Sequence, residues 1–285
     1  MSDYTLDELM CALMAREIRD TDWVNHGAVV PLAGAALMLA KQTHAPRADF
    51  FYLGTHFNSV NPTALNLMDM WADPRLAYTS SKCLISHADI LNWTIRGGCT
   101  LQFLRPLQMD RFGSVNVSVI GDPAAPKYRF HGIAVADVMV TCERPIVYTT
   151  EHNERTFPAE LSFRTGLGHT DGDGWRRLIR APGGGPYRVI TPLATLDFET
   201  EDGGARLRAL NPGVEVEEVV ANTGFDLEVP DEVERNPAPT AEELRVLREV
   251  VDPVGIRQTE FKETRAAANQ RIAAELARRA AAAEA

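Results

Sequence analysis

Residues 108–122 read QMDRFGSVNVSVIGD, a stretch that holds two side-chain amides, Gln108 and Asn116, one carboxylate near its start, Asp110, and two glycines, Gly113 and Gly121. An amide both donates and accepts hydrogen bonds. Such a pair can hold a ligand, or it can pin the loop onto its own backbone. Asp110 has the short acidic side chain that caps a turn. A second group, His56, Asn58 and Asn61, follows the aromatic run DFFYL. A histidine there can take or give a proton near neutral pH, or simply be a polar loop residue. The two asparagines are turn formers as well as candidate ligands. His131 beside Gly132 forms a third group, which either lines a cleft or sits at the surface. The chain holds no metal-ligand spacing, phosphate-binding glycine loop or Ser-His-Asp signature.

These groups need a scaffold, and its elements follow from periodicity and capping. Thr5 and Glu8 form a capping box ahead of Leu6, Leu9, Met10, Leu13 and Ile18 at helical spacing, so a helix is expected over 5–19. A strand over 23–30, a helix over 32–42 opened by Pro31, and a strand over 49–53 follow. Short β-branched runs at 101–104, 115–120, 133–140 and 145–148 predict more sheet. Glycines crowd 166–186, which predicts a loop region, and strands are expected at 187–196 and 205–210 around the turn Asp202-Gly203-Gly204. Thr240 and Glu243 repeat the capping box and start a helix through Val250, stopped by Pro253. The Ala-rich residues 262–285 predict a helical tail with little apolar surface. Alternating helices and strands imply an α/β fold.

At 285 residues, 45% hydrophobic and 24% charged, the chain is of ordinary globular composition. A net charge of -10 argues against nucleic acid or an anionic membrane as partner. Any anionic ligand must be met by local cations, for which Arg105, Arg111, Lys127, Arg129, Arg176 and Arg177 are candidates beside their plainer role as solvated charge. Cys11, Cys83, Cys99 and Cys142 are widely spaced and are expected to be reduced and mostly buried. The opening MSDYTLDE has no secretory pattern, and no apolar run is long enough to span a bilayer, so a cytoplasmic protein is expected.

The stretch 109–122 resembles a loop of class I CoA-transferase β subunits, which reads roughly QxDxxGNVNxSxIGD. Gln108, Asp110, Gly113, Val115, Asn116, Ser118, Ile120, Gly121 and Asp122 fall in register with it. NTGFDLEV at 222–229 and LREVVDP at 247–253 are similar to two further segments of that family, in the same order. The likeness is to the glutaconate CoA-transferase branch and also to steroid ring-opening hydrolases built on the same scaffold, and it runs from about Tyr4 to Ile256. It implies an open, mostly parallel sheet flanked by helices over 1–260; the helical extension 261–285, read from its Ala-rich composition, lies outside the likeness. It also implies an α-subunit partner in an α2β2 heterotetramer, a coenzyme A thioester as substrate, and no bound cofactor.

Two departures bear on the reaction. In that family a β-subunit glutamate attacks the acyl-CoA, but here its position falls on Leu53, or on Tyr52 if the register slips by one, and the nearest acid is Asp49. Where the family carries a glycine run like GSGGA, whose amides can hold an oxyanion, this chain reads His131-Gly132-Ile133-Ala134. The ring-opening relatives lack the β-subunit glutamate too and take their essential acid from the α subunit. The resemblance therefore implies hydrolysis of a carbon-carbon bond in a cyclic acyl-CoA. His56 and Asn116 are then the expected catalytic residues, and Asn58, Gln108, Gly113, His131 and Gly132 the expected substrate-binding ones. A transferase using a partner carboxylate and a silent CoA-binding or stabilising subunit remain as alternatives.

Overall fold

Both capping boxes form. Glu8 accepts the Thr5 N–H at 2.9 Å ahead of α1 (Leu6–Arg16). Thr240 and Glu243 exchange bonds of 2.7 and 3.1 Å ahead of the helix Ala241–Arg245, as this spacing dictates. The computed structural model describes residues 3–27, 30–52, 57–60, 81–84, 86–132, 135–169 and 174–284. The chain forms two compact units, one of Met1–His87 with Pro239–Ala285 and one of Ala88–Ala238.

In the first unit β1 (Trp23–His26) runs parallel to β2 (Asp49–Tyr52), and β3 (Phe57–Val60) and β4 (Ser81–Leu84) continue the sheet antiparallel. The crossover between β1 and β2 is α2 (Pro31–Gln42), which starts on Pro31 and buries every residue from Pro31 to Ala40. A helix apolar all round must be enclosed, and the Ala and Gly positions allow close approach. The carboxylate of Glu260, itself buried, accepts the Leu32 N–H at 2.7 Å and so places negative charge at the positive end of α2. Nearby, buried Arg257 meets Asp7 at 2.7 Å, Asp252 at 2.9 Å and Glu8 at 3.4 Å, which ties α1 to the segment that follows residue 250. The expected Ala-rich helix forms as Arg265–Glu284. Its first turns dock on this unit, with Ala268 buried and Arg271 Nε donating to the Val254 carbonyl at 2.9 Å. Further along, Glu275 takes Arg278 and Arg279, each at 2.8 Å.

The second unit begins one residue into α3 (His87–Trp93), which a π-helical turn, Thr94–Gly98, follows. After β5 (Leu101–Leu104) come two small ladders, β6 (Gln108–Met109) with β7 (Val115–Asn116) and β8 (Val119–Ile120) with β9 (Tyr128–Arg129). Then α4 (Val135–Thr141) leads into β10 (Arg144–Tyr148), which pairs parallel with β5. Beyond α5 (Gly174–Ile179), β11 (Arg188–Ile190) is parallel to β10. β12 (Ala194–Asp197) and β13 (Arg206–Leu210) extend the sheet antiparallel. After α6 (Val216–Ala221), β14 (Glu234–Arg235) pairs parallel with β13. Met109, Val115, Val138, Met139, Val147, Phe157, Val189 and Leu196 belong to one buried core. The expected α/β architecture, a sheet flanked by helices with a C-terminal helix, is present.

Several local expectations are corrected. Of the strand expected at 133–140, the described residues 135–140 are helical instead: Val135, Val138, Met139 and Cys142 share the core at helical spacing, while Ala136 and Asp137 face solvent, so packing overrides β-branched propensity. The glycine-rich 166–186 region contains α5. The strand expected at 187–196 splits at Pro192, where Thr191 Oγ1 accepts the N–H groups of Leu193 and Ala194 at 3.2 and 3.0 Å. The strand expected at 115–120 is likewise two strands. Cys11, Cys99 and Cys142 are buried thiols outside any disulfide, as expected, and burial pushes the Cys11 thiol well above its usual range.

Candidate functional site

The stretch from Gln108 to Ser118 is a turn closed on itself. Asp110 Oδ1 accepts the N–H groups of Phe112 and Ser114 at 3.0 and 2.9 Å, which is the turn cap its side chain suggests. Burial pushes the Asp110 carboxyl above its ordinary value, against the opposing pull of the Ser114 hydrogen bond and Arg164. Gly113 sits at φ +71°, and a Cβ there would lie 2.7 Å from the Phe198 ring and 2.8 Å from Pro186. Only glycine meets both the dihedral and the space.

Asn116 is completely buried and bonded at both ends of its amide. Nδ2 donates to Gln108 Oε1 at 2.8 Å and to the Val119 carbonyl at 2.6 Å, and Oδ1 accepts from the Ser118 and Val119 N–H groups at 2.9 and 3.2 Å. This is the pinning arrangement, and it ends β7 after two residues. Gln108 Oε1 also takes the Ser162 N–H at 3.1 Å, which fixes the amide orientation. Gln108 Nε2 has no acceptor among the described residues, so the amide's donor end is available to a ligand.

Ser118 carries the loop to its neighbours. Its Oγ is 2.7 Å from Thr165 Oγ1, its carbonyl accepts the Phe130 N–H at 2.7 Å, and Gly132, at φ +64°, presses so close that a Cβ would lie 2.3 Å from Ser118 Oγ. Gly132 therefore lies directly on the loop. His131 is exposed and has no hydrogen-bond partner among the described residues. Gln108, Asn116 and Gly132 are thus gathered around one loop, with Gly113 at its tip. Asn58 lies on β3, opposite Phe51 and Cys83. His56, Asn61 and Leu53 lie outside the described residues.

Ser118, Ser162 and Thr165 hold this loop and were not assigned roles in advance. Ser118 stood in the motif, whereas nothing local to 162–165 announces a partner some 50 positions earlier. Arg111 pairs with Asp202 at 2.8 Å beside a cavity of about 560 Å³ lined also by Glu199, Thr200, Glu201 and Glu228. So many carboxylates repel an anionic ligand. Among the described residues no cluster of His, Cys, Asp and Glu could hold a metal, and no helix is long and apolar enough to cross a membrane.

The coenzyme A transferase family model matches residues 9–222, and the chain belongs to that family. It is 32% identical over 253 residues to the β subunit of 3-oxoadipate CoA-transferase from Pseudomonas knackmussii, covering 87% of this chain and 94% of that one. The cholesterol ring-cleaving hydrolase IpdB subunit of Rhodococcus jostii is 29% identical over 153 residues, 54% of this chain and 60% of its own length. Among solved structures, glutaconate coenzyme A-transferase from Acidaminococcus fermentans matches with a TM-score of 0.77 at 26% identity, over 88% of this chain and 96% of that one. The resemblance drawn from the three sequence segments is borne out.

Proposed function

We propose that the chain is the β-like subunit of a cytoplasmic heteromeric enzyme that hydrolyses a carbon-carbon bond of a cyclic acyl-CoA. The observation that carries this reading is an absence in the sequence: from Phe50 to Met68 there is no Asp or Glu, so the strand-end position of the family's nucleophile offers no carboxylate. An anhydride cannot form there. General-base chemistry needs one carboxylate and a positioned water, and the α partner supplies the acid. Water deprotonated by that carboxylate adds to a ring carbonyl; the adjacent carbon-carbon bond breaks, its electron pair passes to the carbon next to the thioester, and that carbon is then protonated. The product carries a new carboxylate and keeps its CoA.

In this scheme Gln108 directs its open Nε2 at the thioester carbonyl, and Asn116 acts by holding Gln108 and the loop. Gly113 and Gly132 permit close backbone approach, and Asn58 and His131 are the remaining substrate-binding residues. His56 positions the substrate, so His56→Ala lowers turnover with assembly intact, while removing the α-subunit carboxylate, the general base, lowers it by about 10²- to 10⁴-fold. The 1–260 region is the family domain, and 261–285 is an extension.

A second reading, transfer of CoA between carboxylic acids with a partner carboxylate, is favoured by the 32% identity to the 3-oxoadipate CoA-transferase chain. Turnover in ¹⁸O-water separates the two. Label in a new carboxyl group with CoA retained supports ring hydrolysis, whereas CoA passing to an added acid shows a transferase. A complex inert in both assays, with a substituted α-subunit carboxylate making no difference, leaves this chain a stabilising subunit.

A further inference from the structure

We infer that the hairpin 119–130 binds the adenosine-phosphate end of coenzyme A; this site deepens the proposed reading and rests on its assignment of a CoA thioester as substrate. The argument starts from a chain of net charge -10, in which an anionic ligand must find cations not already neutralised. Of the six candidate cations, Arg105 bonds Thr150 at 3.0 Å, Arg111 pairs with Asp202, and Arg176 is buried with its guanidinium donating to the Met139 carbonyl at 2.7 Å. Arg177 lies exposed on a short helix. Lys127 and Arg129 alone occur as a pair two residues apart, both exposed, and neither forms an ion pair among the described residues.

Around them stand two exposed aromatics. Tyr128 is 56% and Phe130 44% exposed, with ring centroids 6.3 Å apart. Tyr128 on β9 and Phe130 just beyond it lie two residues apart on one side of the chain, and their rings, inclined by 38°, form one platform. The Lys127 ammonium lies over the Tyr128 ring, 5.8 Å from its centroid, which puts a cation against one face of the platform and leaves the other face for a base. A purine stacked on an aromatic side chain with a phosphate beside a lysine is the arrangement this geometry offers. Arg129 braces the turn through the Pro123 carbonyl at 2.9 Å and adds positive field. The single acid of the segment, Asp122, accepts the Ala124 N–H at 2.8 Å.

The hairpin is also stiff and well placed. Gly121 turns it at φ +90°, Lys127 N–H donates to the Ile120 carbonyl at 2.9 Å, and Pro123 and Pro126 restrict the turn, so little freedom remains to be lost on binding. The bond from Phe130 N–H to the Ser118 carbonyl joins it to the loop that holds Gln108. Two rings are too few for a stable protein interface, and lysine is depleted from such interfaces.

The test is calorimetric titration of the purified enzyme, this chain with its partner, using CoA, 3′-dephospho-CoA and pantetheine as probes. The unaltered enzyme should bind CoA most tightly. Lys127→Gln should weaken CoA about tenfold, and Tyr128→Ala with Phe130→Ala roughly ten- to hundredfold, bringing CoA towards pantetheine. Arg177→Gln, which removes equal charge elsewhere, should leave the CoA affinity unchanged. An unchanged CoA affinity in the hairpin variants, equal weakening by Arg177→Gln, or loss of subunit assembly in the variants would each overturn the site. No CoA binding by the unaltered enzyme overturns both the site and the proposed function. Nucleotide-dependent binding that the variants abolish, together with a negative ¹⁸O experiment, upholds the site and overturns only the reaction.

Discussion

The two halves of one continuous stretch, 108–118 and 119–130, follow opposite rules. In the first, every residue from Gln108 to Asn116 except Arg111 and Phe112 is buried, and Asn116 makes four hydrogen bonds to three residues. In the second, all of 121–130 except Pro126 is exposed, and two cations and two rings stand without carboxylate partners among the described residues. The first half can tolerate almost no change because its polar groups satisfy one another out of reach of water. The second is held by its backbone, which frees its side chains for something outside the fold.

Substitutions should separate the halves by stability before activity is considered. The largest effect belongs to Gly113→Ala and Asn116→Ala. The first combines a left-handed φ with contact on Phe198 and Pro186, and the second leaves Gln108 Oε1 and the Ser118 and Val119 backbone groups short of partners. Each should cost on the order of 3 kcal/mol in urea unfolding. A loss below about 0.5 kcal/mol would show that the first half is not self-supporting.

Acid probes the body on which this half rests. Met109 N–H bonds the Thr156 carbonyl, and next to Thr156 lies Phe157, on which buried His152 stacks at a centroid distance of 4.5 Å. Burial pushes His152 down to about 4, whereas an unfolded histidine titrates near 6.5. Between those values the unfolded chain binds more protons, so stability is full above pH 6.5 and falls as pH drops towards 4, by on the order of 3 kcal/mol. His152→Gln should flatten that slope in unfolding curves measured across the window. Smallest of all, Tyr128→Ala and Phe130→Ala should shift stability by no more than about 0.5 kcal/mol each. A large loss there would erase the contrast between the halves.

Capping and turn chemistry were readable in advance because they depend on residues within a few positions of one another. Thr5 with Glu8, Thr240 with Glu243, and Asp110 over its turn are all found as spacing dictates. The spacing of Gln108 and Asn116 marked them as a pair, but two amides in a loop do not reveal whether they face a ligand or each other. Ser162 settles the orientation of Gln108 from 54 positions away, and no local pattern points to it. The helix at Val135–Thr141 was missed for the same reason: valines that suit a strand were turned to helical spacing by a core assembled from distant strands.

The Arg257 cluster sets an order of events during synthesis. Asp7 and Glu8 are made ahead of Ala88–Ala238, yet the cations that neutralise them, Arg257 and Arg248, come only after all of that unit has been made. At roughly 5–20 residues per second the wait is on the order of ten seconds or more. The later-made unit is contiguous in sequence and can close first. For that interval the nascent chain carries a folded insert and an acidic, half-built flank, which is the span over which a chaperone would have something to hold.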